Sequence, residues 1–75
     1  MVLAQIDIKA EVTGSVWKIV TEVGKTLGAG DTIMILESMK MEIPVMTEDG
    51  GKLVELKVQE GVSVAEGQVV AVVQE

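Results

Sequence analysis

The chain has 75 residues, 48% of them apolar, with Trp17 its one aromatic residue and neither cysteine nor histidine. A chain this short supports one core, so residues 1–75 are expected to form a single domain; disulfides, thiolate or imidazole metal sites and histidine-based catalysis are excluded. Twelve acidic residues against six lysines give a net charge of −6, the wrong sign for gripping a phosphate backbone, and no apolar run approaches the ~20 residues of a membrane span.

In chain order, Ile6, Ile8, Ala10 and Val12 alternate with polar residues, Trp17, Ile19 and Thr21 recur at the same spacing of two, and a run from Ile33 to Leu36 follows. A period of two marks short strands, here separated by glycine or acidic turns. Val54, Leu56 and Val58 then alternate, Val62 and Val64 form a brief strand, and residues 69–73 read as a buried strand. No segment keeps a 3.6-residue period for three turns. The eight glycines would each cost a helix about 1 kcal/mol, so helix is expected to be minor or absent.

Sliding the chain against itself by 37 residues places Gly14, Gly24 and Gly30 on Gly51, Gly61 and Gly67. The same shift sets Ile6 on Ile43, Ile8 on Val45, Val16 on Leu53, Ile19 on Leu56, Leu27 on Val64, Ile33 on Val70 and Ile35 on Val72. Two like halves of four strands imply an all-β fold, a flattened barrel or sandwich of two four-stranded antiparallel sheets with pseudo-two-fold symmetry. In that arrangement Leu3 takes in the first half the place of Lys40 in the second, Glu75 corresponds to Ser38, and the chain ends meet at the pole opposite Lys40.

Between the halves lies Glu37-Ser38-Met39-Lys40-Met41-Glu42-Ile43-Pro44, a strand pattern broken by no glycine. The spacing predicts a tight hairpin with Met39 and Lys40 at its tip. Two-residue hairpin loops favour positive φ, which suits glycine, asparagine and aspartate rather than methionine or lysine. A local rule broken in this way points to function. An exposed lysine can be a plain solvated charge on an edge, and methionines can fold back onto the barrel, but two thioethers flanking an exposed amine suit contact with a partner or an apolar ligand.

Glu37-Ser38-Met39-Lys40-Met41 closely resembles the attachment sequence of the biotinyl domains of biotin-dependent carboxylases, and the spacing of Gly24, Gly30 and Asp31 extends the likeness over nearly the whole chain. The glycine spacing is shared with lipoyl domains; the Met-Lys-Met core is specific. The resemblance implies biotin in amide linkage to Lys40, with Met39, Met41, Glu37 and Ser38 completing the attachment motif. It also implies a carrier without catalytic power of its own, loaded by a biotin protein ligase and serving biotin carboxylase and carboxyltransferase partners of an acyl-CoA carboxylase in the cytoplasm. Two departures stand out: residues 10–14 lack the proline many relatives carry there, and no room exists between Trp17 and Gly30 for the inserted thumb of some carriers. The chain also holds no Ala/Pro-rich linker, as in a free-standing protein or an excised piece.

Two rival readings share the fold. A lipoyl carrier usually has a polar residue before the lysine and alanine after it, against Met39 and Met41 here; an unmodified barrel module needs no lysine between methionines. The exposed acids Glu11, Glu22, Glu48, Asp49, Glu60 and Glu66 are candidates for docking to basic partners or for a merely solvated face.

Overall fold

The structure, a computed structural model, describes residues 4–75. Eight strands follow one another: β1 (Gln5–Lys9), β2 (Gly14–Ile19), β3 (Thr26–Leu27), β4 (Thr32–Ser38), β5 (Met41–Met46), β6 (Gly51–Leu56), β7 (Ser63–Val64) and β8 (Val69–Gln74). No helix occurs among the described residues. Two four-stranded sheets result, in the orders β1-β8-β6-β3 and β5-β4-β2-β7, with every pairing antiparallel.

The repeat read from the glycines is the symmetry of the fold. Shifting β2 by the spacing between Gly14 and Gly51 gives the bounds of β6, and the same shift carries β3 onto β7 and one sheet order onto the other. Loop hydrogen bonds repeat reciprocally. The Gly24 amide donates to the Leu53 carbonyl at 2.7 Å and the Gly61 amide to Val16 at 2.7 Å, and those two glycines hold φ of 97° and 87°, where a side chain would be strained. The side chains of Asp31 and Gln68, equivalent positions, accept the amides of Gly28 (2.8 Å) and Ala65 (3.0 Å). The first and last described residues meet: the Glu75 amide donates to the Ala4 carbonyl at 3.0 Å, and Gln5 pairs with Gln74. Their place in one sheet is the two-fold counterpart of the β4–β5 tip in the other. Leu3, expected as the counterpart of Lys40, lies outside the described residues.

The core is aliphatic. Val16, Ile33, Met34, Leu36, Leu53, Val70 and Val73 are fully buried between the sheets, and β-branched side chains suit a pleated surface packed on one face. Alternation misplaces one residue. The register of β2 against β4 shifts between Val16 and Lys18, a bulge that turns Val16 inward and leaves Trp17 50% exposed. A matching shift falls between Leu53 and Glu55 in β6. The expected strand through Thr21 therefore ends at Ile19, and β1 ends at Lys9 short of Ala10 and Val12. Ala10 and Val58 are nonetheless buried from just beyond their strands.

Thr21, half-buried at the edge of the core, breaks the symmetry. Its Oγ1 is buried without a hydrogen-bond partner, while the equivalent position holds Val58, 7% exposed. An unsatisfied buried hydroxyl costs about 1–3 kcal/mol. Thr21→Val is therefore expected to raise the urea midpoint, adding about 1 kcal/mol of stability with an unchanged denaturant slope; a lowered midpoint would show that the hydroxyl is satisfied in solution.

Candidate functional site

The β4–β5 hairpin pairs Leu36 with Ile43, Glu37 with Glu42 and Ser38 with Met41, leaving Met39 and Lys40 as a two-residue loop. Both loop residues adopt left-handed backbone, with φ of 51° at Met39 and 64° at Lys40. Such a turn follows the right-handed twist of the flanking strands, which the common right-handed turns would splay. For residues bearing a Cβ it costs roughly 1–2 kcal/mol each. The glycine-free tip is thus strained where the sequence predicted strain. Inward-facing Leu36 and Val45 anchor the arms of the hairpin in the core and hold the turn in place.

Beyond that anchor the tip stands in solvent. Met39 is 92% and Met41 62% exposed, and Lys40 is exposed between them. Among the described residues the one ion pair joins Lys57 to Glu55 at 3.3 Å, and no hydrogen bond engages the Lys40 amine. Glu37 and Glu42, both exposed, face one another across the strands. No wall surrounds the amine. A cleft lined by residues 6–11 and 46–49 lies between the edge strands β1 and β5, at the far end of β5 from the tip. It includes Asp7, Glu11, Glu48 and Asp49, but no acidic cluster suited to a metal ion occurs among the described residues. The tip therefore presents an amine rather than enclosing a ligand.

The base of the hairpin is braced from the side. The Ser38 hydroxyl donates to the Thr13 carbonyl at 2.9 Å, and the Glu66 amide donates to Thr13 Oγ1 at 3.1 Å. Gly14 lies so close to the end of β4 that a Cβ there would collide with the Glu37 carbonyl oxygen and sit 3.2 Å from Ser38 Cβ. Glu37, Ser38, Met39, Lys40 and Met41 thus share one hairpin as expected, while Thr13, Gly14 and Glu66 join its base from segments remote in sequence. Gly14 left a trace in the sequence through its match with Gly51; Thr13 left none. Of the acidic residues considered for docking, all are exposed, and Glu60 is structurally engaged, its carboxylate accepting the Ile19 amide at 2.9 Å.

The family profile described as biotin-requiring enzyme, covering biotin and lipoyl attachment domains, matches residues 7–73. The chain is 39% identical over 67 residues to the biotinylated protein TB7.3 homolog of Mycobacterium leprae, covering 89% of this chain and 94% of that protein. Among solved structures it resembles the urea carboxylase of Kluyveromyces lactis, with a TM-score of 0.89, 36% identity and 93% of this chain covered. It also resembles a single-chain, multi-domain long-chain acyl-CoA carboxylase, with a TM-score of 0.88, 26% identity and 93% of this chain covered. The chain spans 6% and 7% of the lengths of those two structures.

Proposed function

Because the chain belongs to the biotin/lipoyl attachment family of biotin-requiring enzymes, we propose that Lys40 carries biotin in amide linkage and delivers it between the active sites of a carboxylase. The domain is a biotin carrier domain similar to those of urea and acyl-CoA carboxylases. The observation that carries the proposal is an amine held on a strained, solvent-exposed two-residue tip, between two exposed methionines and free of any surrounding pocket.

Loading on this reading is an acyl transfer. The Lys40 amine, deprotonated in the site of a biotin protein ligase, attacks the carbonyl carbon of biotinyl-adenylate. A C–N bond forms, the C–O bond to the adenylate phosphate breaks, AMP departs, and one of the amine's two protons passes to solvent or a ligase base while the other stays on the amide nitrogen. The carrier contributes presentation. Amide formation removes one positive charge and leaves a neutral arm, which Met39 and Met41 flank with polarizable apolar surface. A biotin carboxylase then carboxylates the ureido ring and a carboxyltransferase passes the CO₂ to its acceptor, all in the cytoplasm. Tethering the ring to a rigid body raises its effective concentration at both sites.

The acceptor proposed is an acyl-CoA. The 36% identity to a urea carboxylase favours urea as a second reading, and the acceptor used by the carboxyltransferase that co-purifies with the chain separates the two. Attachment itself is tested by co-expression with a biotin ligase followed by intact-mass and fragment analysis. One biotinyl addition on Lys40 is expected. A lipoyl addition, a different lysine, or an unmodified chain in the presence of active ligase would refute the assignment.

A further inference from the structure

We propose that Thr13 is a positioning residue for the acylation of Lys40: its bridge between the hairpin base and the β7–β8 turn sets the direction in which the tip is offered to the loading enzyme. The inference rests on the carrier reading above and extends it to a residue outside the attachment motif.

The molecule's own symmetry provides a control. Thr13 ties three segments together. Its carbonyl accepts the Ser38 hydroxyl at 2.9 Å, two residues before Lys40, and its Oγ1 accepts the Glu66 amide at 3.1 Å. The two-fold counterparts of Thr13, Ser38 and Glu66 are Gly50, Glu75 and Ala29. A Cβ built on Gly50 would lie 3.6 Å from the Ala29 nitrogen, so the same two loops approach one another in the other half with no hydroxyl between them. The fold therefore closes this corner without a threonine. The corner that has one is the corner beneath the tip.

What the bridge adds is restraint. Among the described residues no hydrogen bond from outside the hairpin reaches the strained turn at Met39 and Lys40, so any rocking of the β4–β5 base is magnified at the amine. An acyl transfer requires the attacking nitrogen within a few ångströms of the carbonyl carbon and correctly aimed, and small misplacements are expensive in rate. Pinning Ser38 to a loop that is itself pinned to Glu66 removes one rocking mode. Both hydrogen bonds are exposed to solvent, so water replaces them when they are lost and the fold survives.

The test uses the full chain with a purified biotin protein ligase, biotin and ATP. Thr13→Val keeps the branched shape and removes the acceptor; Thr13→Ser restores it. Initial rates over a range of carrier concentration are expected to show kcat/KM about tenfold lower for Thr13→Val and within about twofold of the parent for Thr13→Ser, at equal melting temperatures. Acetylation of Lys40 by a small N-hydroxysuccinimide ester, mapped by peptide mass, is expected to be equal in all three chains, because the amine's own reactivity is untouched. Ligase rates that match the parent in Thr13→Val would overturn the role of Thr13, as would parallel losses of labelling and melting temperature, which would assign the bridge to folding. If the parent chain itself takes up no biotin, the carrier reading fails first and the role of Thr13 goes with it.

Discussion

Lys40→Arg is expected to abolish biotin incorporation completely while melting within about 3 °C of the parent chain. Arginine keeps the length and charge of the side chain, but its guanidinium stays protonated and offers no nucleophilic nitrogen. Because the tip is exposed and makes no ion pair among the described residues, its substitution removes almost no packing. A companion variant separates chemistry from strain. Changing Met39→Asn together with Lys40→Gly installs the pair that left-handed two-residue turns favour, and relief at φ of 51° and 64°, offset by the flexibility of glycine, is expected to stabilise the fold by about 1 kcal/mol. That variant takes up no biotin either. The two together would show that the tip trades stability for a reactive group. Biotin found elsewhere on the Lys40→Arg chain, or a destabilised Asn-Gly hairpin, would contradict the description of the tip.

The second large effect is expected at Gly14. A Cβ at this position meets the backbone carbonyl of Glu37, which cannot move aside as a flexible side chain would. Gly14→Ala must therefore displace either the start of β2 or the end of β4, with an expected loss of about 3 kcal/mol, a large share of the ~5–15 kcal/mol typical of a domain. Gly51 is crowded in the same way, since a Cβ there would lie 2.7 Å from the Gln74 carbonyl oxygen and from Val73 Cγ1. Gly28 is the control. Its nearest neighbour would be the Asp31 carboxylate at 3.6 Å, so Gly28→Ala is expected to change stability by no more than about 0.5 kcal/mol. Urea titrations of the three variants decide the matter, and equal midpoints would mean that the sheets can part at Gly14 without penalty. Because the obstructing carbonyl belongs to Glu37, three residues before Lys40, Gly14→Ala is also expected to slow biotin loading in the fraction that folds.

Much of the candidate site was legible because its signals are local. Residues 37–41 are contiguous, and the preference of a two-residue loop for left-handed backbone is a property of the loop itself, so strain at Met39 and Lys40 could be anticipated without knowing what lay around them. The brace beneath the tip could not. The Ser38–Thr13 and Glu66–Thr13 bonds join residues 25 and 53 positions apart, and a threonine in a loop carries no mark of the partner it will meet. Likewise the Glu60 carboxylate, read as a surface acid, accepts an amide from a residue 41 positions away.

By itself the amino-acid sequence determined that this protein is two matched sets of four short strands with a lysine at the crest between them, since glycine spacing and twofold alternation report backbone preference residue by residue. Which side of each strand faced inward was decided by pairing. One extra residue in β2 opposite β4 inverted the phase after Val16 and turned Trp17 to solvent. The unsatisfied hydroxyl of Thr21, the crowding over Gly14 and the Thr13 brace arose in the same way, from segments that touch only when the two sheets close.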